Sequence, residues 1–316
     1  MKIKDKSVMV LGGCGFIGSH LVDTLIIEKP KEIVVVDNMF LGKESNLKEA
    51  KQNFDALRLY KENVEDFDVM KNIMKTHNPD VVFNLAVLPL PYSLEHPKQC
   101  NDRNVEMVST ICELQRLGFF KTLIHFSSSE AYGSAQYRPM DDKHPLGPST
   151  PYAASKASGD ILALSYHKTF GNDISVLRPF NNYGPRQNEG SYAGVIPLTI
   201  QRIMQGESPI IQSDGTQTRD FIYATDTAKM AIEMYKREVA GEVINVGGGA
   251  EISIKYLVEL IMDLMDCNKD IQYEPARAGD VKRHIANIYK AEDLLDFKQT
   301  ISFEEGMKNT VDWYTK

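Results

Sequence analysis

Short runs of β-branched and other apolar residues recur through the first 180 residues, separated by stretches whose apolar positions repeat at helical spacing. The runs Val8–Leu11, Glu32–Val36, Leu57–Tyr60, Val81–Leu85, Thr122–Phe126 and Ile174–Leu177 predict six strands. Segments at about Phe16–Glu28, Phe67–His77, Asn104–Leu117 and Tyr152–Phe170 predict helices. Strands alternating with helices in this way predict a parallel sheet covered on both faces, and near-continuously apolar strands fit burial on both sides. After Arg178-Pro179 the texture changes: Pro, Gly and Asn cluster through 181–194, and a short helix is expected at Pro197–Gln205. Residues 220–235 and 242–246 again read as strand and helix, and 253–316 as mostly helical. The pattern predicts an α/β protein. A doubly wound nucleotide-binding domain spans residues 1–180, completed by segments near 220–247, and a smaller α/β domain spans 181–316.

Composition narrows the function classes. The 316 residues are 42% hydrophobic and 25% charged, as in a globular protein, and the net charge of −7 argues against a nucleic-acid partner. Four cysteines at 14, 100, 112 and 267 have neither metal-site spacing nor a disulfide framework, so reduced thiols are expected and no metal. The apolar stretch after the charged N-terminus is too short for a signal peptide, and no run reaches the roughly 20 residues of a membrane span. A cytoplasmic location is expected.

Candidate chemistry begins at Gly12-Gly13-Cys14-Gly15-Phe16-Ile17-Gly18, which follows a strand and opens a helix. Glycines spaced as Gly12, Gly15 and Gly18 allow a tight turn and the close approach of a pyrophosphate to a helix N-terminus. An ordinary structural turn would also use glycine, but here a second strand ends at Asp37, about 20 residues on, where a carboxylate accepts both ribose hydroxyls. That carboxylate would repel a 2′-phosphate, favouring NAD over NADP. Further along, Tyr152 and Lys156 are four residues apart and share a helix face. A phenol with its pKa lowered by a neighbouring ammonium can take a proton from a sugar hydroxyl while hydride leaves the same carbon. Ser127-Ser128-Ser129 closes the fifth strand, at the sheet edge that faces the ligand crevice in a doubly wound fold.

With these motifs, the sequence resembles the extended short-chain dehydrogenase/reductases, a family of nucleotide-sugar 4-epimerases, 4,6-dehydratases and UDP-glucuronate decarboxylases. The resemblance runs nearly end to end, through G-G-C-G-F-I-G-S-H (12–20), V-V-V-D-N (34–38), F-N-L-A (83–86), S-S-S-E-A-Y-G (127–133), P-Y-A-A-S-K (151–156), R-P-F-N-N-Y-G-P-R-Q (178–187), R-D-F-I-Y (219–223) and R-A-G-D-V (277–281). It implies a Rossmann-type domain holding NAD through Gly12, Gly15, Phe16, Ile17, Gly18, Asp37, Asn38, Asn63, Val64, Leu85, Ala86, Tyr152 and Lys156. Tyr152 would be the general acid/base and Lys156 its partner. The active-site hydroxyl falls on Ser128 when Tyr132-Gly133 anchors the match and on Ser129 when Phe126 does. Asn181, Arg219, Arg277 and Asp280 match positions that hold the nucleotide diphosphate or its ribose, and Arg186 reads equally as a substrate contact or a surface ion pair. Asn63-Val64 replaces the usual Asp-aliphatic pair, and Ala86–Pro91 is unusually proline-rich.

The resemblance implies oxidation at C4 of a nucleotide-diphosphate sugar. The reading preferred from the sequence is a 4-epimerase, on the R-A-G-D-V segment. A 4,6-dehydratase is next, because Glu130 follows Ser128-Ser129 as an acidic residue does in dehydratases. A 4-dehydrogenase, a UDP-glucuronate decarboxylase and a non-catalytic NAD sensor remain alternatives. A homodimer or higher homo-oligomer is implied, pairing the helices predicted at Asn104–Leu117 and Tyr152–Phe170; Val105, Val108, Ile111 and Leu114 would supply its face or else belong to the core.

Overall fold

The computed structural model describes residues 1–276, 279 and 281–316. Seven strands form one parallel sheet: β1 (Ser7–Leu11), β2 (Glu32–Val36), β3 (Leu57–Tyr60), β4 (Val81–Asn84), β5 (Thr122–Phe126), β6 (Asp173–Pro179) and, after short β7 (Asn181–Tyr183), β8 (Ile210–Gln212), β9 (Thr218–Arg219) and β10 (Phe221–Tyr223), the late strand β11 (Val243–Val246). The order is β11-β6-β5-β4-β1-β2-β3, a Rossmann-like arrangement. The winding direction reverses between β1 and β4, which opens a crevice at their carboxyl ends.

Period-two alternation within each strand divides the core into two layers. Val8, Val10, Ile33, Val35 and Phe83 pack on one face with α1 (Phe16–Ile27), α8 (Ala224–Arg237) and α10 (Tyr289–Leu295). Met9, Leu11, Val34, Val36 and Val82 pack on the other with α3 (Phe67–His77), α5 (Pro97–Arg116) and α6 (Pro151–Phe170). A third cluster joins α7 (Val195–Met204), α9 (Ile254–Leu264) and α11 (Phe303–Tyr314) around Tyr183, Phe221, Leu257 and Met307. Remaining elements are the short helices α2 (Lys48–Asn53) and α4 (Leu90–Glu95) and the two strands β12 (Ile252–Ser253) and β13 (Gln272–Glu274).

Local chemistry fixes where the functional helix begins. The Thr150 hydroxyl accepts from the Ala153 amide, Pro151 occupies the first turn, and Gly171 ends the helix in the left-handed conformation. Tyr152 therefore lies in the first turn of α6 and Lys156 in the next. The proline-rich segment runs without regular structure into α4, with Pro91 in the first turn, where no amide donor is required. The helix expected at Asn104–Leu117 starts seven residues earlier, at Pro97, because the polar K-Q-C-N-D-R stretch is helix rather than loop, with Lys98, Gln99 and Asp102 exposed and Cys100 buried. Val108, Ile111 and Leu114 lie within the core and Val105 is half-buried, so this row is interior rather than an outer face. Among the described residues no helix is long and apolar enough to cross a membrane.

Truncating Ile111 to alanine should cost about 2–5 kcal/mol in denaturant unfolding, whereas Ile27→Ala, at a side chain 77% exposed, should change stability by less than about 0.5 kcal/mol.

Candidate active site

The crevice at the carboxyl edge of the sheet is a cleft of about 590 Å³ floored by the glycine turn. Gly12 has φ +77°, and a Cβ there would sit 3.0 Å from the Leu85–Ala86 backbone. At Gly18 a Cβ would lie 2.2 Å from the Gly12 carbonyl oxygen, so α1 reaches its position only with glycine at both sites. Gly15 caps α1 without a side-chain hydrogen bond, leaving first-turn amides directed at the cleft as an anion site.

Asp37 stands at the end of β2 on the cleft wall. Burial pushes its carboxyl upward, and backbone donation from Met39, Cys14 and Gly15 opposes that. The Cys14 and Met39 amides each donate to it at 2.9 Å. Asn38, Val64, Leu85, Ala86, Phe16 and Ile17 line the same cleft. Asn63 does not: its carbonyl oxygen accepts from the Asn38 amide at 2.9 Å and from Arg103 at 3.1 Å, so its bond is to the neighbour that faces the cleft. These features fit a dinucleotide: an amide cradle for phosphate, a carboxylate one strand away for ribose, and apolar walls.

Tyr152 and Lys156 enter this cleft from α6. The Ser128 hydroxyl acts on the Tyr152 phenol and favours its ionised form, while Ser129 is buried in the following turn; of the two serines, Ser128 is the one that reaches the phenol. The expected lowering of the Tyr152 pKa is not found: burial raises it, outweighing the opposing effect of Ser128, and Glu130 raises it further. Burial lowers the Lys156 ammonium to about 8, opposed by Asp160, and Lys156 donates to the Phe126 carbonyl at the end of β5.

The predicted substrate residues divide. Asn181 and Arg219 share a second cavity of about 470 Å³ with Gln187, Arg202 and Gln217. The buried Asn181 amide nitrogen has no hydrogen-bond partner there, a donor awaiting an acceptor. Arg186 instead lines the first cleft and is ion-paired with Asp23 at 2.6 Å. Arg277 and Asp280 lie outside the described residues. Cleft-lining residues absent from the sequence reading include Trp313, brought from the far end of the chain, and the segment 40–43. Lys43 pairs with Glu189 at 2.7 Å, and Phe40 stacks near Tyr192, joining two walls of the cleft. Such long-range convergence has no local sequence signal.

The family model described as GDP-mannose 4,6 dehydratase matches residues 9–310. Three solved structures are similar over almost the whole chain. A UDP-N-acetylglucosamine 4-epimerase from Methanobrevibacter ruminantium M1, in complex with UDP-N-acetylmuramic acid, is 38% identical with a TM-score of 0.91, covering 99% of each chain. A UDP-glucose 4-epimerase from Thermotoga maritima, with UDP-glucose, is 31% identical with a TM-score of 0.91, covering 98% of each chain. A dTDP-glucose 4,6-dehydratase from Streptomyces venezuelae, with NAD bound, is 27% identical with a TM-score of 0.92, covering 98% of this chain and 97% of that one.

Replacing Asp37 with asparagine should weaken NAD about 10–100-fold, the size of a lost hydrogen bond to a charged group, and narrow the preference over NADP; calorimetric titration of both dinucleotides checks this.

Proposed function

The chain belongs to the GDP-mannose 4,6-dehydratase family of extended short-chain dehydrogenase/reductases, and on that premise we propose that it is an NAD-dependent nucleotide-sugar 4-epimerase. The observation that carries the reading is the pair Tyr152 and Lys156, one turn apart on α6, lining the cleft floored by the glycine turn, with Ser128 acting on the phenol. When bound, NAD accepts a hydride from C4 of the sugar and later returns it. Gly12, Gly15, Phe16, Ile17 and Gly18 would hold its pyrophosphate, Asp37 a ribose, and Asn38, Val64, Leu85 and Ala86 the surrounding walls, with Asn63 acting through Asn38.

Tyr152 takes the C4 hydroxyl proton as the carbonyl forms, and gives it back when hydride returns to the opposite face. Ser128 hydrogen-bonds the same oxygen, and Lys156 favours the phenolate. Asn181 and Arg219 anchor the diphosphate end, the orphaned Asn181 amide finding its acceptor there. We assign residues 1–180 with α8 and β11 to cofactor binding and most of 181–316 to substrate binding.

A second reading, 4,6-dehydratase, is favoured by Glu130, whose charge reaches Tyr152 from the adjoining turn. The proposal also includes a cytoplasmic site of action, supported by four free cysteines of which three are buried, and a homo-oligomer built on α5 and α6, where Leu117, Ile161 and Phe170 are exposed.

Mass analysis of products from a panel of nucleotide sugars tests the proposal. An isobaric product supports the epimerase, loss of water the dehydratase, loss of CO2 the decarboxylase and loss of two hydrogens the dehydrogenase. Tyr152→Phe should lower turnover about 10²–10⁴-fold while the protein still binds NAD, read by fluorescence titration; full activity would remove the base. Glu130→Gln should leave 4-epimerisation largely intact, and an enzyme arrested after C4 oxidation, before water loss, would transfer the assignment to dehydratase.

A further inference from the structure

Beneath the catalytic face of α6 lies a buried charge cluster that direct contact with a substrate does not explain. Asp160 follows Lys156 by four residues and Tyr152 by eight, so all three share one stripe of the helix. Its side chain is 1% exposed and accepts from the Arg178 guanidinium at 2.8 Å and from the Ser127 hydroxyl. Arg178, on β6, also donates to Ser127 at 3.2 Å and lies over the Tyr132 ring at 4.4 Å. Tyr132 in turn donates to Asn245 on β11 at 2.8 Å. The cluster thus ties α6, the ends of β5 and β6, and the turn Ser129–Tyr132 that follows Ser128.

We propose that Asp160, held by Arg178, is a positioning residue of the active site: its bonds to Ser127 and Arg178 fix the end of β5 and the Ser128 turn against the face of α6 that carries Tyr152 and Lys156. The inference rests on Tyr152 as the base. Burial alone would raise the Asp160 carboxyl, but Arg178, His125 and Ser127 outweigh it and hold the group ionised, at about 2. His125, facing from β5 at 3.5 Å, is lowered by burial despite Asp160 and is therefore neutral. The remaining groups acting on the pair from neighbouring elements are Glu130 and Tyr132 in the turn and Cys100 on α5. Arg178 carries the opposite charge, yet the Asp160 carboxylate is what acts on both Lys156 and Tyr152, raising each.

Neutralising Asp160 removes an anion that favours the Lys156 ammonium and opposes the Tyr152 phenolate, so both groups should deprotonate at lower pH. In Asp160→Asn the two limbs of the kcat/KM profile should move down by about one pH unit, the scale of a unit charge nearby at intermediate dielectric, with kcat reduced more than KM. Asp160→Glu, which keeps the charge, should restore the limbs. Because Asp160→Asn strands the Arg178 charge, the double variant Asp160→Asn/Arg178→Gln is measured beside it and should show the same acid shift with a wild-type circular dichroism spectrum. A folded variant with unmoved limbs overturns the proposal, as does failure of both variants to fold, which would make the cluster structural alone. Since Tyr152→Phe is scored separately, unmoved limbs with an inactive Tyr152→Phe would sink this inference and leave the base assignment standing.

Discussion

A lysine ammonium buried at the carboxyl edge of a parallel sheet must be kept charged without water, and much of the site answers that requirement. Parallel strands direct their terminal carbonyls to one edge, and Lys156 donates to one of them, Phe126 at the end of β5. Burial still lowers the group to about 8. Gly159 lets α6 lie close to its neighbours: a Cβ there would crowd Val108 on α5 at 3.1 Å and touch His125 on β5 at an ordinary contact distance of 3.5 Å. The same close approach puts Tyr152 beside Ser128. The phenol, its hydroxyl partner and its ammonium are therefore consequences of one helix lying tightly on one strand end, not separately placed features.

The second constraint is the reversal of strand order between β1 and β4. It parts the two crossovers and admits the α1 N-terminus between the sheet's carboxyl ends. On the other side, Asp220 performs a comparable structural task. It accepts from the Gly248 and Gly249 amides at 2.6 and 3.1 Å and from Ala286 at 2.9 Å, linking the segment beyond β11 to the strand pair that carries Arg219. Burial pushes this carboxyl up to about 7, against those three amides. The backbone next to Arg219 is thus tied to the segments beyond β11.

The α/β class and the sheet strands were legible because period and apolarity speak locally: Val8–Leu11 and Glu32–Val36 bury both faces and leave no polar alternation to misread. The glycine turn was legible because part of its crowding is local, Gly18 meeting the Gly12 carbonyl oxygen, although Gly12 itself is crowded by Leu85–Ala86 far along the chain. Sequence could not show that Asn63 turns to Asn38 and Arg103, since a side chain's choice among hydrogen-bond partners depends on elements forty residues away. Nor could it separate Ser128 from Ser129, which differ by which side of a single 3-10 turn they occupy. Asp160 was overlooked although it sits four residues beyond Lys156. A charged residue on a helix normally marks the solvent side, and only the fold shows Asp160 beside Arg178 at the core.

Every proposed reaction shares the first step, so the choice among them turns on what the sugar does after C4 is oxidised. Glu130 would serve water loss only if C5 and C6 were held still beside it. The groups proposed to anchor the diphosphate, Asn181 and Arg219, belong to β7 and β9, whereas Tyr152 belongs to α6 and lines a different cavity. Anchor and base thus act on opposite ends of the ligand. A keto-sugar ring freed of its hydrogen bond to Tyr152 can turn about its link to the diphosphate without releasing the anchor, and then present its other face to the same phenol. Epimerisation would use that separation directly, with a single acid/base group for both directions of proton transfer, and would require of this chain no residue beyond those lining the two cavities and Ser128.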